Sequence, residues 1–197
     1  MSIAQIAANP TSDVEIIRQI VDGDVNAFEV LLYRYQEQVL KIVKKHVPPD
    51  QIEETAHDVF IRAYQSLPTF KNTSVFEHWL AAIAVRACYD FWRKHYRSRE
   101  LPISSLSPQQ QRWLESTLAA QSSQSFYENG AQQDAKEVLE WALQKLSAED
   151  RMVVELVYLE GVSGKAAADL LGWSVANVKI RLFRSRKKLQ KLLTGKT

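Results

Sequence analysis

Residues 163–193, SGKAAADLLGWSVANVKIRLFRSRKKLQKLL, contain two helical patterns separated by a glycine. A short run of small and apolar residues ends at Leu171, and Gly172 follows at a position where helices often close with a positive φ. Ser174 then offers a side-chain oxygen that can cap a second helix. The pattern therefore predicts a helix-turn-helix.

The second of these helices is basic and contains no acid. One of its sides is apolar and consists of Val178, Leu182, Leu189 and Leu192. Another side carries Lys179, Phe183, Arg184 and Lys187. The N-terminal turns of such a helix fit the major groove of DNA, and later cations lie over phosphates. We predict binding to double-stranded DNA; the alternative is an amphipathic helix whose charges are only solvated, which the capped turn and the small residues 166–168 disfavour.

Charge distribution, more than net charge, indicates the partners. The 197 residues allow one large or two small domains, and the formal net charge is only +2. Cations cluster at 93–99 and in the C-terminal helix, whereas the charges between 49 and 58 are all acidic. An acidic helix beside basic ones predicts two different partners.

The residues needed for common catalytic and metal sites are missing from the sequence. Cys88 is the single cysteine, so an internal disulfide and a cysteine-based zinc site are excluded. The four histidines have no metal-binding spacing, and no P-loop, GxGxxG or nucleophile elbow occurs. The acids Glu53, Glu54 and Asp58 are more typical of a docking surface than of acid–base catalysis. We predict a binding protein with no catalytic residues, no metal and no cofactor.

Helical periodicity runs through the chain, and no alternating strand pattern stands out. We predict an all-α protein with two helical domains, 13–98 and 134–193, joined by a flexible linker at 99–133 and flanked by tails at 1–12 and 194–197. The predicted helices are 13–21, 26–45, 51–67, 75–96, 135–146, 148–159 and the helix-turn-helix pair. The linker is rich in Ser and Gln, and a short helix around Trp113 is possible within it. No apolar run is long enough to span a membrane and no leader pattern is present, so we expect a cytoplasmic protein without membrane insertion.

Three parts of the chain, in this order and spacing, match a known family. They are GDVNAFEVLLYRY (23–35), ETAHDVFIRAYQSLPTF (54–70) with FEHWLAAIAVRACYDFWRK (76–94), and LSAEDRMVVELVYLEGVSGKAAADLLGWSVANVKIRLFRSRKKL (146–189). From about 13 to 193 the chain thus resembles the extracytoplasmic-function (ECF) sigma factors of bacterial RNA polymerase. The resemblance implies a sigma region 2 domain at 13–98 and a sigma region 4 domain at 134–193. The linker takes the place of the family's third domain.

The resemblance also implies the partners and the residues that meet them. The clamp coiled coil of the polymerase β′ subunit is expected to contact Glu54, Asp58, Phe60, Arg62, Ala63 and Tyr64. The −10 element is expected to contact Lys71, Asn72, Arg86, Tyr89, Trp92, Arg93, Lys94 and Arg97. The −35 element is expected to contact Lys165, Lys179, Ile180, Arg181, Phe183, Arg184, Arg186 and Lys187. The β flap is expected to bind the apolar surface of the C-terminal domain, and an anti-sigma factor is expected to hold the protein inactive.

Aromatic and cationic residues at 79–97 fit the predicted −10 contact, because opened single strands bind to aromatic platforms and cations. The alternative is that the aromatic residues belong to the core. We favour the core for Phe76 and Trp79, and DNA for Tyr89, Arg93 and Lys94.

Four residues depart from the family pattern. His57 stands where Gln is usual, Arg86 where Asn is common, and Lys165 where an acid is usual. Ile180 replaces a small polar residue on the recognition helix; it can contact a thymine methyl group but cannot hydrogen-bond a base edge. We therefore expect an unusual promoter sequence.

Two other functions are compatible with parts of the chain. A helix-turn-helix regulator with an N-terminal sensing or dimerisation domain explains the C-terminal half, but not the acidic helix followed by an aromatic and basic one. A helical scaffold without a DNA role explains neither basic cluster.

Overall fold

The computed structural model describes residues 11–70, 75–98 and 129–194, and these residues form helices and turns without a β-strand. The predicted all-α class is confirmed. Three predicted features lie outside the described residues: most of both tails, the loop with Lys71 and Asn72, and most of the linker, including the helix around Trp113.

The helices follow the predicted order. They are α1 (Asp13–Val21), α2 (Phe28–His46), α3 (Ile52–Ser66), α4 (Phe76–Ser98), α5 (Asn129–Gln144), α6 (Ala148–Val154), α7 (Gly164–Leu171) and α8 (Val175–Thr194). Single 3₁₀ turns precede α2 and α3 and follow α3, at Val25–Ala27, Pro49–Gln51 and Leu67–Thr69.

Two bounds differ from the prediction. Helix α5 begins at Asn129, inside the predicted linker and before Gly130, and AQQDAKEVLE (131–140), which contains no proline or glycine, continues it. The predicted helix 148–159 changes after Val154 into a π-helical turn, Glu155–Leu159. There the Glu160 N–H donates to the Glu155 carbonyl at 3.0 Å, five residues back instead of four.

Among the described residues, the first compact unit consists of 11–70 and 75–92 together with 168–173. Within it α2 packs against α1 and α3, and the core includes the fully buried Ile16, Leu31, Val39, Val43, Val59, Leu67 and Leu80. The indole N–H of Trp92 donates to the His46 carbonyl at 2.6 Å, so the C-terminal end of α2 is tied to α4.

A small polar cluster joins α1 to α2. The Tyr35 hydroxyl donates to the Asp13 carboxylate, and Arg34 forms an ion pair with the same carboxylate. Burial, followed by the hydrogen bond to Asp13, raises the pKa of Tyr35 well above its usual value of about 10.

We predict that this cluster makes unfolding sensitive to alkaline pH. Because the folded-state pKa of Tyr35 is raised, its stabilising contribution is complete below the unfolded pKa of about 10 and is lost as the pH rises above that value. Urea unfolding between pH 8 and 11 should show a steeper loss of stability for the native chain than for Tyr35→Phe. Equal slopes for the two proteins would contradict the role given to this hydroxyl.

Among the described residues, the second compact unit consists of 93–98 and 129–167 together with 174–194. Helix α8 packs against α5 and α6, and Leu189 covers a cluster formed by Leu143, Leu146 and Val154. Helix α6 begins at the predicted cap, since the Ser147 hydroxyl accepts from the Asp150 N–H at 3.2 Å.

A buried cation joins three positions of this second unit. Arg151 is 4% exposed, and its Nε donates to the Glu155 carboxylate at 2.7 Å, where Glu155 is itself 4% exposed. Its Nη2 donates to Glu140 on α5 at 3.0 Å. Burial lowers the pKa of Arg151, but the attraction of Glu155 and Glu140 together with the interaction with Tyr96 leaves that pKa above its usual value.

Candidate nucleic-acid and polymerase interfaces

The turn between α7 and α8 has the features that the sequence predicted. The Ser163 hydroxyl accepts from the Ala166 N–H at 3.1 Å at the start of α7, and the Ser174 hydroxyl accepts from the Asn177 N–H at 3.2 Å at the start of α8. Gly172 has a φ of 72°, a conformation in which a side chain would be strained. Both caps and the positive-φ glycine confirm the predicted helix-turn-helix geometry.

One exposed side of α8 forms a continuous surface, which we call the α8 stripe. Its members are exposed and recur at steps of three and four: Ala176, Lys179, Ile180, Phe183, Arg184 and Lys187. Val178 and Ser185 on the opposite side are fully buried, so this rotation of the helix is determined by its packing. The stripe presents Ile180, 51% exposed, and Phe183, 61% exposed, among three cations.

Arg181 lies off the stripe. Its guanidinium forms an ion pair with Asp150 of α6 at 2.9 Å and donates through Nε to the Asn177 side-chain oxygen at 3.1 Å. These contacts attach α8 to α6. The sequence predicted Arg181 as a DNA-contacting residue, and the structure gives it a scaffold partner instead.

The other basic residues predicted for the −35 contact are also exposed. They are Lys165 on α7 and Arg186 on α8. Lys187 lies over the Phe183 ring, with its ammonium 4.8 Å from the ring centroid. This contact holds the aromatic ring beside a cation on the surface.

On α4 the predicted −10 residues have different environments. Arg93, Lys94 and Arg97 are exposed on its last two turns. Trp92 is only 3% exposed and both its ring and its N–H are used within the core, so it drops out of the predicted base-stacking set.

Arg86 and Tyr89 are engaged inside the first compact unit. The Arg86 guanidinium donates to the carbonyls of Leu170 at 3.1 Å and of Asp169 at 3.4 Å, which caps the C-terminal end of α7. The half-buried Tyr89 ring meets the Trp173 ring edge to face at 5.7 Å. In this structure Arg86 therefore binds protein carbonyls, where the sequence predicted a contact with DNA.

The predicted polymerase-binding helix α3 exposes only part of the predicted set. Glu54 is exposed and Asp58 is half-buried, but Ala63 is fully buried and cannot touch a partner. The rings of Phe60 and Tyr64 are half-buried and pack against Phe28 at 6.5 and 5.1 Å. Ala63 is therefore not available as a contact residue. The rings of Phe60 and Tyr64 mainly stabilise the packing of α3 on α2.

Arg62 is held between two carboxylates. It forms ion pairs with Asp58 on the same helix at 2.8 Å and with Asp90 on α4 at 2.6 Å. Partial burial opposes its charge, but the hydrogen bonds to Asp90 and Asp58 outweigh burial and raise its pKa. Arg62 thus joins α3 to α4, and the negative charge of Asp58 is balanced in part by the positive charge of Arg62.

The solvent side of α3 also exposes Glu53, His57 and Ile61 beside Glu54. Glu53 belongs to the acids predicted as a docking surface and His57 is one of the departures from the family pattern, whereas Ile61, 42% exposed, was not predicted as a contact. The sequence could have indicated the exposure of Ile61, because Val59 and Ala63 are four residues apart on the buried side of the helix and Ile61, two residues from each, falls on the opposite side. We call Glu53, Glu54, His57 and Ile61 the α3 surface.

In the described ranges, no group of His, Cys, Asp or Glu could hold a metal ion. Within the same ranges, no helix is long and apolar enough to cross a membrane.

Comparison with known proteins gives the same order of domains. Residues 31–98 match the model of sigma-70 region 2, and residues 136–189 match the model of sigma-70 region 4, so the two models cover more than half of the chain. The ECF RNA polymerase sigma-E factor of Escherichia coli strain K12 is 26% identical over 175 residues, 89% of this chain and 91% of that protein. The RNA polymerase sigma-H factor of Pseudomonas aeruginosa is 26% identical over 184 residues, 92% of this chain and 93% of that protein.

A solved structure has a similar fold. CnrH, in its complex with the cytosolic domain of CnrY, matches with a TM-score of 0.52 and 24% identity over 94% of this chain and 99% of that chain. At this identity the likeness concerns the fold alone.

Proposed function

The chain belongs to the extracytoplasmic-function sigma factors of bacterial RNA polymerase, and from this premise we propose which of its surfaces make the polymerase and promoter contacts. As a sigma factor it binds core polymerase and directs transcription initiation at promoters. The helix-turn-helix regulator is not favoured, because residues 31–98 match sigma-70 region 2 and leave no separate sensing domain there.

The α8 stripe is the proposed −35 contact. It combines exposed cations with exposed apolar groups on one side of a helix that has no acid, which suits a major groove lined by phosphates. This single surface carries the proposal most strongly. Lys165 and Arg186 are proposed to add phosphate contacts. Arg181 is proposed to hold α8 in position through its ion pair with Asp150 of α6.

The −10 contact is proposed for the exposed cations of α4. Arg93, Lys94 and Arg97 follow one another on the last turns of the helix and can bind the backbone of an opened strand. Tyr89 and Arg86 can contribute only after leaving their present partners.

The α3 surface is the proposed docking site for the clamp coiled coil of β′. It places two carboxylates and one exposed aliphatic side chain together, which is a combination of steering charge and apolar anchor. The apolar surface of the second unit, which includes Tyr158 and Leu159, both about half exposed, is proposed for the β flap.

Three further expectations follow from family membership. The protein acts by binding and has no catalytic step of its own, works in the cytoplasm beside polymerase, and is held inactive by an anti-sigma factor. An anti-sigma factor must cover the α3 surface or the α8 stripe if it is to block either contact.

Run-off transcription tests the proposal directly. The purified chain and core polymerase from the same organism are mixed with a genomic fragment library, and specific transcripts are mapped. A sigma factor gives specific starts without any other sigma factor present. Specific starts that depend on adding a second sigma factor would favour the regulator.

Arg184→Ala is expected to weaken promoter binding and to lower the salt dependence of binding by about one phosphate contact. Arg184 is exposed on the α8 stripe, so its removal should not disturb the fold. The measurement is holoenzyme affinity for a promoter between 50 and 300 mM salt. Lys136→Ala, an exposed cation on α5, is the matched control and should leave the slope unchanged.

A further inference from the structure

We propose that the α8 stripe selects thymine in the −35 element by covering the thymine 5-methyl group with Ile180 and Phe183. This inference rests on the proposed function, because it assumes that the stripe enters the major groove. It deepens that function by naming the chemical group recognised at the centre of the stripe.

The centre of the stripe is apolar and its edges are charged. Ile180 and Phe183 are separated by one helical turn, and both are more than half exposed. Lys179 and Arg184 lie beside them and are also exposed. Two large apolar side chains in solvent between cations are costly unless a partner covers them, and in a DNA complex the cations extend to phosphates or guanines.

Polar groups able to recognise a base are absent from that centre. Asparagine and glutamine recognise adenine and arginine recognises guanine through paired hydrogen bonds. Asn177, the amide nearest in sequence, uses its side-chain oxygen to accept from Arg181, and Arg181 itself is paired with Asp150. Lys187 is placed over the Phe183 ring. Ile180 and Phe183 are left to make the central contact.

Thymine is the base that fits these side chains. Its 5-methyl group is the apolar group that base edges present in the major groove, and aliphatic and aromatic side chains are known to contact it. Cytosine has no methyl group at that position, so placing cytosine against Ile180 loses the apolar contact. Its amino group takes the place of the thymine O4 atom, and Ile180 pairs with neither, so the methyl group alone separates the two bases.

The size of the effect is set by one methyl group. Removing a methyl group from an apolar contact lowers affinity by about fourfold, the value expected for one buried carbon group. Two thymines in contact should lower it by about fifteenfold when both methyl groups are removed, if the contacts are independent.

The test compares thymine with deoxyuridine, which has the same hydrogen-bonding groups but lacks the methyl group. Holoenzyme made from the full chain and core polymerase first selects a −35 element from duplexes randomised upstream of a constant −10 region. The selected duplex is then synthesised with each −35 thymine replaced in turn by deoxyuridine, and the affinity of holoenzyme is measured for each duplex. The same series is repeated with Ile180→Ala and with Leu139→Ala, an exposed aliphatic residue on α5 that serves as the matched control.

The expected result is a loss of about fourfold at one or two thymines for the native chain and for Leu139→Ala. For Ile180→Ala the loss should fall below twofold at the thymine that Ile180 covers, and a second sensitive thymine, covered by Phe183, should keep its loss. An element without thymine, or equal affinity for thymine and deoxyuridine at every position, would overturn the inference while leaving −35 recognition by α8 intact. Losses of which Ile180→Ala reduces none would also overturn it. If holoenzyme selects no upstream element, the proposed function itself is wrong.

Discussion

Arg151→Ala is expected to lower the free energy of unfolding of the second unit by about 3–5 kcal/mol, the usual cost of breaking a buried ion pair by removing one of its members. The reason lies in Glu155, which is as deeply buried as Arg151 and would lose its ion pair with Arg151 at 2.7 Å. Glu140 is also released, but its side chain is 45% exposed and water can solvate it. Since small domains are stable by only about 5–15 kcal/mol, this loss is a large share of the stability of the unit.

Urea unfolding followed by circular dichroism measures this loss, and hydrogen exchange at the amides of α6 shows whether it belongs to the second unit. Arg186→Ala removes an exposed arginine from α8 and should change stability by less than about 0.5 kcal/mol. Replacing both partners, Arg151→Met with Glu155→Leu, should recover much of the stability, because no buried charge remains. A loss for Arg151→Ala no greater than for Arg186→Ala would show that the ion pair is not required.

The double variant Glu54→Lys with Ile61→Ser is expected to weaken binding to core polymerase by at least about tenfold, or about 1.4 kcal/mol. The first change reverses a charge at the start of α3, and the second removes the exposed aliphatic side chain on the same surface. Both side chains are outside the core, so the fold should persist. Affinity is measured with labelled chain and purified core polymerase.

A matched control makes the same two kinds of change on other helices. Glu37→Lys on α2 with Val14→Ser on α1 alters one exposed acid and one exposed aliphatic residue, and should leave polymerase affinity within about twofold of the native value. Exposed residues make a cleaner test than Asp58 and Phe60, because Asp58 pairs with Arg62 and Phe60 packs on Phe28. Equal affinities for the two double variants would remove α3 from the polymerase interface.

The local features of the chain were predictable because they depend on neighbours in sequence. The caps Ser147 and Ser174 and the positive-φ Gly172 are each decided within four residues of chain. The start of α5 and the π-helical turn were not predicted, since composition marked residues 129–133 as linker and no sequence rule specifies an added residue in a helical turn.

The sequence was sufficient to predict which helices carry the candidate sites. It was less successful in predicting which side chains of those helices are exposed. Periodicity identified α3, α4 and α8 as the helices that carry the contacts, and it assigned Val178 to the buried side. It did not distinguish Trp92 in the core from the exposed cations that follow it, because aromatic residues suit both a core and a base-stacking surface.

Periodicity, capping and charge are local properties, so the all-α class, the helix order, the turn of the helix-turn-helix and the two separate charge clusters could be read from the residues alone. Which charged and aromatic side chains are available to a partner depends on long-range packing. Arg181 forms an ion pair with Asp150, and Arg62 forms one with Asp90. The Trp92 indole N–H donates a hydrogen bond to the His46 carbonyl. Each of these partners is 28 or more residues away along the chain, so packing, and not local pattern, leaves Ile180 and Phe183 at the centre of the α8 stripe.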